Sequence, residues 1–185
     1  MATFTPPKDP RRQYIGMVNQ AKGKDWEKII ERSCTYYRDK GIADIEKTPE
    51  PMKILRDLGG GRFIACFEKA AQADYKGFMQ GGGAVNFEAK HTDADRLEQR
   101  CVTEEQAERL ERAYQYGAHA FVLVSFGFRT FYRIPWAVWR SMKEHFGHKY
   151  ITPQEVRPYM LRYGLGFDGL GILFFLENFE SEDKP

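Results

Sequence analysis

The pattern of apolar residues along the chain predicts an α/β fold, with a central mixed sheet flanked by helices. Residues 25–40 repeat apolar side chains at helical spacing, which predicts a first helix. Residues 72–79 and 84–92 have strand composition and are separated by a glycine-rich turn, which predicts a hairpin. A capping-box signature at 103–106 then predicts a second helix, and the continuously apolar segment 119–126 predicts a buried strand after it.

The N-terminal part of the chain divides into a polar arm and the first helix. Residues 1–23 are polar and basic and contain prolines, so we predict a flexible arm. The helix is predicted to begin at Asp25, a suitable N-cap, and to end before Gly41, which can adopt the left-handed conformation of a C′ residue. Trp26 and Ile30 belong to its apolar face, so this helix should pack on the sheet.

The remaining elements follow from short apolar segments bounded by glycine and proline. Residues 42–47 predict a strand that ends at a proline-rich exit. Residues 52–72 contain two apolar clusters around three glycines, and they form either an excursion from the core or a strand pair within it. Residues 130–135 predict another strand, followed by a helix over 135–146. Residues 171–176 predict a last strand or a tail packed on the core.

Composition excludes several classes of protein. The chain has 185 residues and is 42% hydrophobic, which is enough to build one complete core and argues against disorder. No apolar run approaches the ~20 residues that span a bilayer, and the N-terminus lacks the apolar stretch of a signal peptide. We therefore expect a cytoplasmic protein with no membrane partner. Cys34, Cys66 and Cys101 form no CxxC pair, so neither a disulfide framework nor a zinc ribbon is expected.

The charge distribution is compatible with nucleic-acid binding. The chain has a net charge of +2, but residues 177–185 hold four acids and one lysine and form an acidic tail. The chain that precedes this tail therefore has a net charge of +5. A basic body permits binding to a polyanion without requiring it.

Three charged residues in the predicted hairpin form the clearest candidate site. Glu88 and Lys90 are two positions apart on one strand, so their side chains project to the same face of the sheet. Asp74 lies on the neighbouring strand and should be near the same end. Mg²⁺-dependent phosphodiester hydrolysis uses such a set, because carboxylate oxygens hold the ion and a lysine neutralises developing charge. An ordinary surface salt bridge between Glu88 and Lys90 is the alternative interpretation.

The motifs around these residues resemble those of one nuclease family. D-Y-x-G at 74–77 and F-E-A-K-x-T at 87–92 resemble the signature of the RecU family of Holliday-junction resolvases, within the restriction-endonuclease-like, PD-(D/E)xK group. The segment 23–27 resembles the family's opening G-x-x-x-E, and 42–51 resembles its first strand with a proline-rich exit. A Q-x-x-x-L helix and a closing glycine follow in the same order, and the resemblance covers residues 23–140.

The resemblance implies a single nuclease domain over 24–176 with a restriction-endonuclease-like core, and it implies overlapping catalytic and metal-binding sets. The implied catalytic residues are Asp74, Glu88, Lys90, Glu27 and Gln106. The implied ligands of Mg²⁺, for which Mn²⁺ would substitute, are Asp74, Glu88, the carbonyl of Ala89 and Gln106. Lys90 would position or activate the attacking water, and Glu27 would lie at the edge of the site.

The resemblance also implies a protruding stalk at 52–72 that enters the centre of a four-way DNA junction. Stalk cations and two nearby lysines are the expected DNA contacts, namely Lys47, Lys53, Arg56, Arg62, Lys69 and Lys76. Family members act as homodimers, so the expected partners are the DNA junction, a second copy of the chain and recombinase proteins. The implied reaction is paired, symmetric cleavage of the junction.

Several alternatives remain open from the sequence. The chain could be another nuclease of the same fold that acts on flaps or duplex DNA, or a DNA-binding recombination accessory that does not cut. Gln106 is also the N3 residue of the capping box and can serve the helix alone. Glu27 can be a solvated surface residue. Ala73 departs from the family, whose members commonly carry a hydroxyl before the aspartate, and the predicted stalk is short.

Overall fold

The computed structural model describes residues 10–49, 52–67, 73–166 and 169–177. Its helices are α1 (Pro10–Asp39), α2 (Glu104–Gln115), α3 (Trp136–Arg140) and α4 (Met142–Phe146). Its strands are β1 (Ala43–Lys47), β2 (Met52–Gly59), β3 (Arg62–Phe67), β4 (Tyr75–Met79), β5 (Ala84–Thr92), β6 (Leu97–Glu98), β7 (His119–Phe126), β8 (Thr130–Pro135), β9 (Tyr150–Ile151), β10 (Tyr163–Leu165) and β11 (Gly171–Leu173).

Five strands form the central sheet, in the order β1-β4-β5-β7-β8. The neighbours β5 and β7 are parallel, and every other neighbouring pair is antiparallel. The chain between the two parallel strands includes α2, because parallel neighbours need a crossover connection. The predicted α/β class, with a central mixed sheet flanked by helices, is therefore confirmed.

Both faces of the sheet are covered by apolar side chains. On the α1 face, the rings of Tyr75, Phe87 and Phe121 stack across adjacent strands, with centroid separations of 4.9 and 4.7 Å. On the α2 face, Leu110 and Ile134 are fully buried. Because β7 is buried on both faces, its sequence is continuously apolar, as predicted for this strand.

The first helix is longer than predicted. It begins at Pro10, so the prediction of an N-cap at Asp25 is wrong. Proline in the first turn of a helix loses no hydrogen bond, and the Gln, Arg, Met and Lys residues that follow favour helix. Gly16 costs only about 1 kcal/mol relative to alanine, which the helix on both sides offsets. Residues 10–23, predicted as part of a flexible arm, are helical, and residues 1–9 lie outside the described part of the chain.

A second difference concerns the helix predicted over 135–146. It is divided at Ser141 into α3 and α4. The Ser141 hydroxyl donates a hydrogen bond to the carbonyl of Ala137, a contact that competes with the helical ladder and favours a break.

Among the helices that the structure describes, none is long and apolar enough to cross a membrane.

The segment that follows β10 is held against α1 by hydroxyl groups. The amide of Leu173 donates a hydrogen bond to Ser33 Oγ at 2.9 Å, and the amide of Leu176 donates one to Tyr37 Oη at 3.0 Å. Residues 171–176, predicted as a last strand or a docked tail, are a short strand followed by a tail that packs on the core.

Residues 52–67 form a separate hairpin in which β2 pairs antiparallel with β3. This hairpin is not part of the five-stranded sheet, which corresponds to the alternative of an excursion from the core. Gly60 and Gly61 form its tip with φ angles of 61° and 75°, a conformation that other residues rarely adopt. The rest of the predicted stalk, residues 68–72, lies outside the described residues. The exposed apolar side chains of the β2–β3 hairpin are Met52, Ile54, Leu55, Leu58, Phe63 and Ile64.

Candidate active site

Asp74, Glu88 and Lys90 converge where β4 begins beside β5. Asp74 directly precedes β4, and the pairing of β4 with β5 brings it next to Glu88. The amide of Asp74 donates a hydrogen bond to Glu88 Oε1 at 3.3 Å, and the amide of Ala89 donates one to Asp74 Oδ2 at 3.0 Å. Lys90 Nζ lies 3.2 Å from Glu88 Oε2. The predicted convergence of two carboxylates and one ammonium is therefore present.

Glu88 is unusual because its carboxyl is completely buried. It lies on the α2 face of β5, in register with Val122 of the apolar core. Burial raises the pKa of Glu88 to about 8, and the negative charge of Asp74 acts in the same direction. The Lys90 ammonium opposes this shift. Since Glu88 is inaccessible, its contact with Lys90 is not an ordinary surface salt bridge.

Gln106 belongs both to the start of α2 and to this group. Gln106 and Thr103 form the reciprocal hydrogen bonds of a capping box, at 3.3 and 3.1 Å. The Gln106 side chain also accepts a hydrogen bond from Lys90 Nζ at 3.1 Å and donates one to Glu88 Oε2. The two interpretations of Gln106 are therefore compatible. We call Asp74, Glu88, Lys90 and Gln106 the carboxylate cluster.

A cleft of about 490 Å³ opens beside the carboxylate cluster. Asp74 and Lys90 line it from the sheet, and Glu27 lines it from α1. Glu27 forms an ion pair with Lys47, at the end of β1, with a separation of 2.7 Å. Glu27 is therefore at the cleft, with a cationic partner, rather than simply solvated.

Three residues at this cleft were not predicted. Lys22 of α1 forms an ion pair with Asp93, and His91 Nε2 lies 3.3 Å from the same carboxylate. His91 Nδ1 contacts Ser125 Oγ at 3.1 Å, and burial lowers the pKa of His91. Lys22 was missed because the helix was predicted to begin at Asp25. The helical spacing of Asn19, Lys22, Gly23, Trp26 and Glu27 can be recognised as one face only once the cleft that these residues line is known.

The oxygen atoms around the carboxylate cluster fit a hard divalent cation. The carboxylates of Asp74 and Glu88, the amide oxygen of Gln106 and the carbonyl of Ala89 are ligands of the type that Mg²⁺ prefers. No group of three His, Cys, Asp or Glu side chains suited to a metal occurs among the described residues, so neutral oxygens would have to complete the set. A cation bound here would lower the raised pKa of Glu88 again, because positive charge would stabilise its ionised form.

The predicted DNA contacts lie on the hairpin, at the cleft and on β4. The hairpin leaves the sheet beside the carboxylate cluster, since the amide of Thr48 donates to the carbonyl of Asp74 at 2.9 Å. Lys47 is at the cleft and Lys76 is on β4, whereas Lys69 lies outside the described residues. The cations exposed on the hairpin are Lys53, Arg56 and Arg62.

Comparison with known proteins decides the family. Residues 21–179 match the RecU family, described as recombination protein U. The chain belongs to the RecU family. A Holliday junction resolvase RecU of Streptococcus sanguinis is 31% identical over 132 residues, which cover 67% of this chain and 66% of that protein. A Holliday junction resolvase RecU of Staphylococcus aureus is 30% identical over 180 residues, which cover 88% of this chain and 85% of that protein.

The part of the chain that matches the RecU family includes the whole carboxylate cluster, Glu27 and the hairpin. A solved structure, that of the Holliday junction resolvase Hjc of Archaeoglobus fulgidus, aligns with 76% of this chain and 91% of its own length. Its sequence identity is 17% and its TM-score is 0.45. Ala73, where the resemblance predicts a hydroxyl-bearing residue, is buried next to the cluster, and its methyl group offers no hydrogen bond.

Proposed function

We propose that this RecU protein is an Mg²⁺-dependent endonuclease that resolves four-way DNA junctions by paired, symmetric phosphodiester cleavage. The observation that carries the proposal is the buried Glu88 carboxyl, which accepts a hydrogen bond from the Asp74 amide and pairs with the Lys90 ammonium, within a chain of the RecU family. A protein that only bound DNA would gain nothing from a buried carboxyl next to a second carboxylate, since negative charge repels the phosphate backbone.

A divalent cation would be held by Asp74, Glu88, the Ala89 carbonyl and Gln106. Mg²⁺ bound there would polarise the scissile phosphate and lower the pKa of a water molecule. The ammonium groups of Lys22, Lys47 and Lys90 lie in or beside the same cleft, and each is paired with a carboxylate there. We expect Mn²⁺ to substitute, because it accepts the same oxygen ligands.

Two hydrogen bonds hold the Lys90 ammonium in position for the reaction. Its ammonium donates to Glu88 Oε2 at 3.2 Å and to Gln106 Oε1 at 3.1 Å, so the side chain is ordered before substrate binds. An ordered ammonium beside the scissile phosphate stabilises the charge that develops on its oxygens, at no cost of reorganisation during the reaction. In the hydrolysis, water supplies the oxygen that joins phosphorus, the phosphorus–oxygen bond of the backbone breaks, and the leaving oxygen takes up a proton.

Glu27 would act from the opposite wall of the cleft. Its carboxylate pairs with Lys47 at 2.7 Å, so the two side chains hold each other in place. We assign Glu27 to orienting water at the edge of the site, and Lys47 to holding a backbone phosphate. Both assignments place a charged pair where the strand to be cut enters.

Paired cleavage needs two active sites related by symmetry. A four-way junction has approximate two-fold symmetry, and a homodimer with a two-fold axis presents one cleft to each of two opposed strands. We therefore propose a homodimer on the junction, with the β2–β3 hairpin of each subunit directed at the point where the strands part. Lys53, Arg56 and Arg62 give the hairpin the positive charge that converging phosphates would attract.

One comparison tests this function directly. Purified protein is incubated with labelled junction, flap, duplex and single-stranded DNA, each with Mg²⁺, Mn²⁺, Ca²⁺ or EDTA. Paired nicks in opposed strands of the junction, with Mg²⁺ or Mn²⁺ alone, are expected. Equal cutting of flap or duplex would favour a general nuclease instead, and cutting in EDTA would rule out the metal. Size-exclusion chromatography with light scattering measures whether the protein is a dimer.

A further inference from the structure

A second pocket adjoins the carboxylate cluster on the α2 side of the sheet. It has a volume of about 300 Å³ and lies between α2 and the strands β4 and β5. Ala73 lines this pocket, whereas the next residue, Asp74, lines the cleft described above. The two cavities are therefore neighbours on either side of the aspartate. The residues that line the second pocket are Ala73, Lys76, Asn86, Arg109, Arg112 and Tyr116, together with Ala113.

The charges that line this pocket have one sign. Lys76 comes from β4, and Arg109 and Arg112 come from successive turns of α2, so three cations converge from two elements. None of the lining residues carries a carboxylate. Arg112 also stands in the last turn of α2, where a cation offsets the partial negative charge of the helix end. With three cations and no carboxylate, the lining favours an anion in spite of the partial negative charge of that helix end.

Arg109 gives a second indication that the pocket takes an acceptor. Its Nε is buried, and no hydrogen-bond acceptor for this atom is present among the described residues. Buried donors of this kind are normally paired, because an unmade hydrogen bond costs roughly 1–3 kcal/mol. A phosphate oxygen is an acceptor that matches the planar guanidinium group.

The spacing along α2 connects this pocket to the chemistry. Arg109 is three residues after Gln106, so the two side chains emerge on the same side of the helix. On β5, Asn86 precedes Glu88 by two positions and therefore projects to the same face. Lys76 is the partner of Asn86 across the β4–β5 ladder. The basic side chains of the pocket therefore lie on the same side of α2 and the same face of the sheet as the carboxylate cluster, further from the cleft.

We propose that this pocket holds a backbone phosphate of the DNA strand being cut, next to the scissile phosphate. The strand would pass over Asp74, with the cleft on one side and the basic pocket on the other. Arg109 and Arg112 then bind a phosphodiester, and Tyr116, which is 87% exposed at the rim, packs against the adjoining sugar or base. This inference rests on the proposed nuclease function and adds to it a second binding site for the same strand.

The test uses a charge-neutral variant and a matched control. Arg109→Gln/Arg112→Gln removes two charges from the pocket and keeps side chains of similar length. Arg129→Gln/Arg157→Gln removes two charges from exposed positions beside β8, at the opposite edge of the sheet. Junction binding is measured by fluorescence anisotropy in Ca²⁺ over a series of KCl concentrations. The pocket variant should bind roughly tenfold or more weakly, and the slope of log affinity against log salt concentration should be less steep by about 0.9, because one phosphate contact is lost.

A methylphosphonate scan locates the contact. Neutral methylphosphonates are placed one at a time along the cleaved strand, and wild type is expected to lose affinity at a position next to the cut. The pocket variant should lose nothing further at that position, whereas the control variant should behave as wild type. Unchanged affinity and salt slope in the pocket variant would overturn the inference while leaving junction cleavage intact. A pocket variant that becomes monomeric without DNA would overturn it in favour of a subunit contact. A wild-type protein that neither binds nor cuts junctions would remove the proposed function itself.

Discussion

The carboxylate cluster and the β2–β3 hairpin both depart from the usual distribution of side chains, in opposite directions. In the cluster, Glu88 is buried against an apolar core face. In the hairpin, Ile54, Phe63 and Ile64 are about half exposed to water. Burying an ionisable group and exposing apolar area both lower the free energy of unfolding. Neither arrangement is explained by stability, which is why we assign chemistry to one region and recognition to the other.

The two regions also differ in how they are held. Every polar side chain of the cluster contacts the backbone or another element, so its geometry depends on the whole sheet and on α2. The hairpin is joined by its own ladder of hydrogen bonds and lies apart from the sheet. A change in the cluster should therefore affect the reaction rate, and a change in the hairpin should affect binding without affecting the fold.

The largest effect is expected from the cluster. Asp74→Asn and Lys90→Ala should each reduce the rate of junction cleavage by roughly 10²- to 10³-fold, because each removes charge that the reaction uses. Junction affinity should remain within a few-fold of wild type, since phosphate contacts elsewhere supply most of it. Single-turnover cleavage with Mg²⁺ and anisotropy in Ca²⁺ measure the two quantities separately. If either variant cleaves junctions at the wild-type rate, the residue that was changed is not part of the catalytic site.

The hairpin provides the reciprocal experiment. Lys53 and Cys66 face each other across the ladder, so residues 54–65 can be replaced by a two-glycine turn without disturbing the base. The variant should lose junction affinity by roughly tenfold or more, because Arg56 and Arg62 no longer contact phosphates. Its melting temperature should change by no more than about 2 °C, as the removed residues are mostly exposed.

A control separates charge from apolar contact in the hairpin. Arg56→Gln/Arg62→Gln removes the same two charges and keeps the exposed apolar residues. If this variant retains more junction affinity than the truncation does, the apolar side chains also take part in binding. The affinity for a linear duplex of equal length, measured at the same salt concentration, should differ much less between wild type and the two hairpin variants. Equal losses on duplex and junction would contradict a role in junction recognition.

A smaller effect concerns the stability of the metal-free protein. The pKa of Glu88 rises from 4.5 to about 8 on folding. The contribution of protonated Glu88 to the free energy of unfolding is therefore complete below pH 4.5 and is lost as pH rises through about 8. In EDTA, the free energy of unfolding should fall by roughly 2–4 kcal/mol between pH 5 and pH 9. Urea unfolding of Glu88→Gln should lack this fall. If the free energy of unfolding depends on pH in the same way in wild type and in Glu88→Gln, burial does not raise the pKa of Glu88.

The smallest effect separates the two roles of Gln106. Thr103→Ala and Gln106→Ala each break the capping box and should each lower the free energy of unfolding by about 1 kcal/mol. Only Gln106→Ala should also slow cleavage, because only Gln106 contacts Glu88 and Lys90. Thermal melts and single-turnover rates on both variants make the comparison. Equal cleavage rates in the two would leave Gln106 as a helix cap alone.

Most of the fold was predictable because local patterns decided it. The alternating strands, the glycine turn and the capping box at Thr103 are signals that span only a few residues. The start of α1 was not predictable in this way, because prolines and charges near the N-terminus suggest a flexible segment. Its helical face is defined by the cleft it lines, which is a tertiary property. The break at Ser141 depends on a side-chain hydrogen bond that no periodicity encodes.

The site was predictable to the extent that it lies on adjacent strands. Glu88 and Lys90 follow from their spacing on one strand, and Asp74 follows from the hairpin. The position of Gln106 depends on how α2 packs, and the sequence left its two roles undecided. Lys22 and Asp93 are 71 positions apart, and only the packing of α1 on the sheet brings them together.

The hydrogen bonds between α1 and the segment after β10 join the two ends of the described chain. Ser33 meets Leu173 across 140 positions, and Tyr37 meets Leu176 across 139. Contacts so distant in sequence form late, and during synthesis α1 leaves the ribosome long before its partners do. Since α1 is one wall of the cleft and also packs on β1 and β5, these contacts complete the support of that wall only after residue 176 has been synthesised. We therefore expect chains that end before residue 173 to hold this wall of the cleft less firmly.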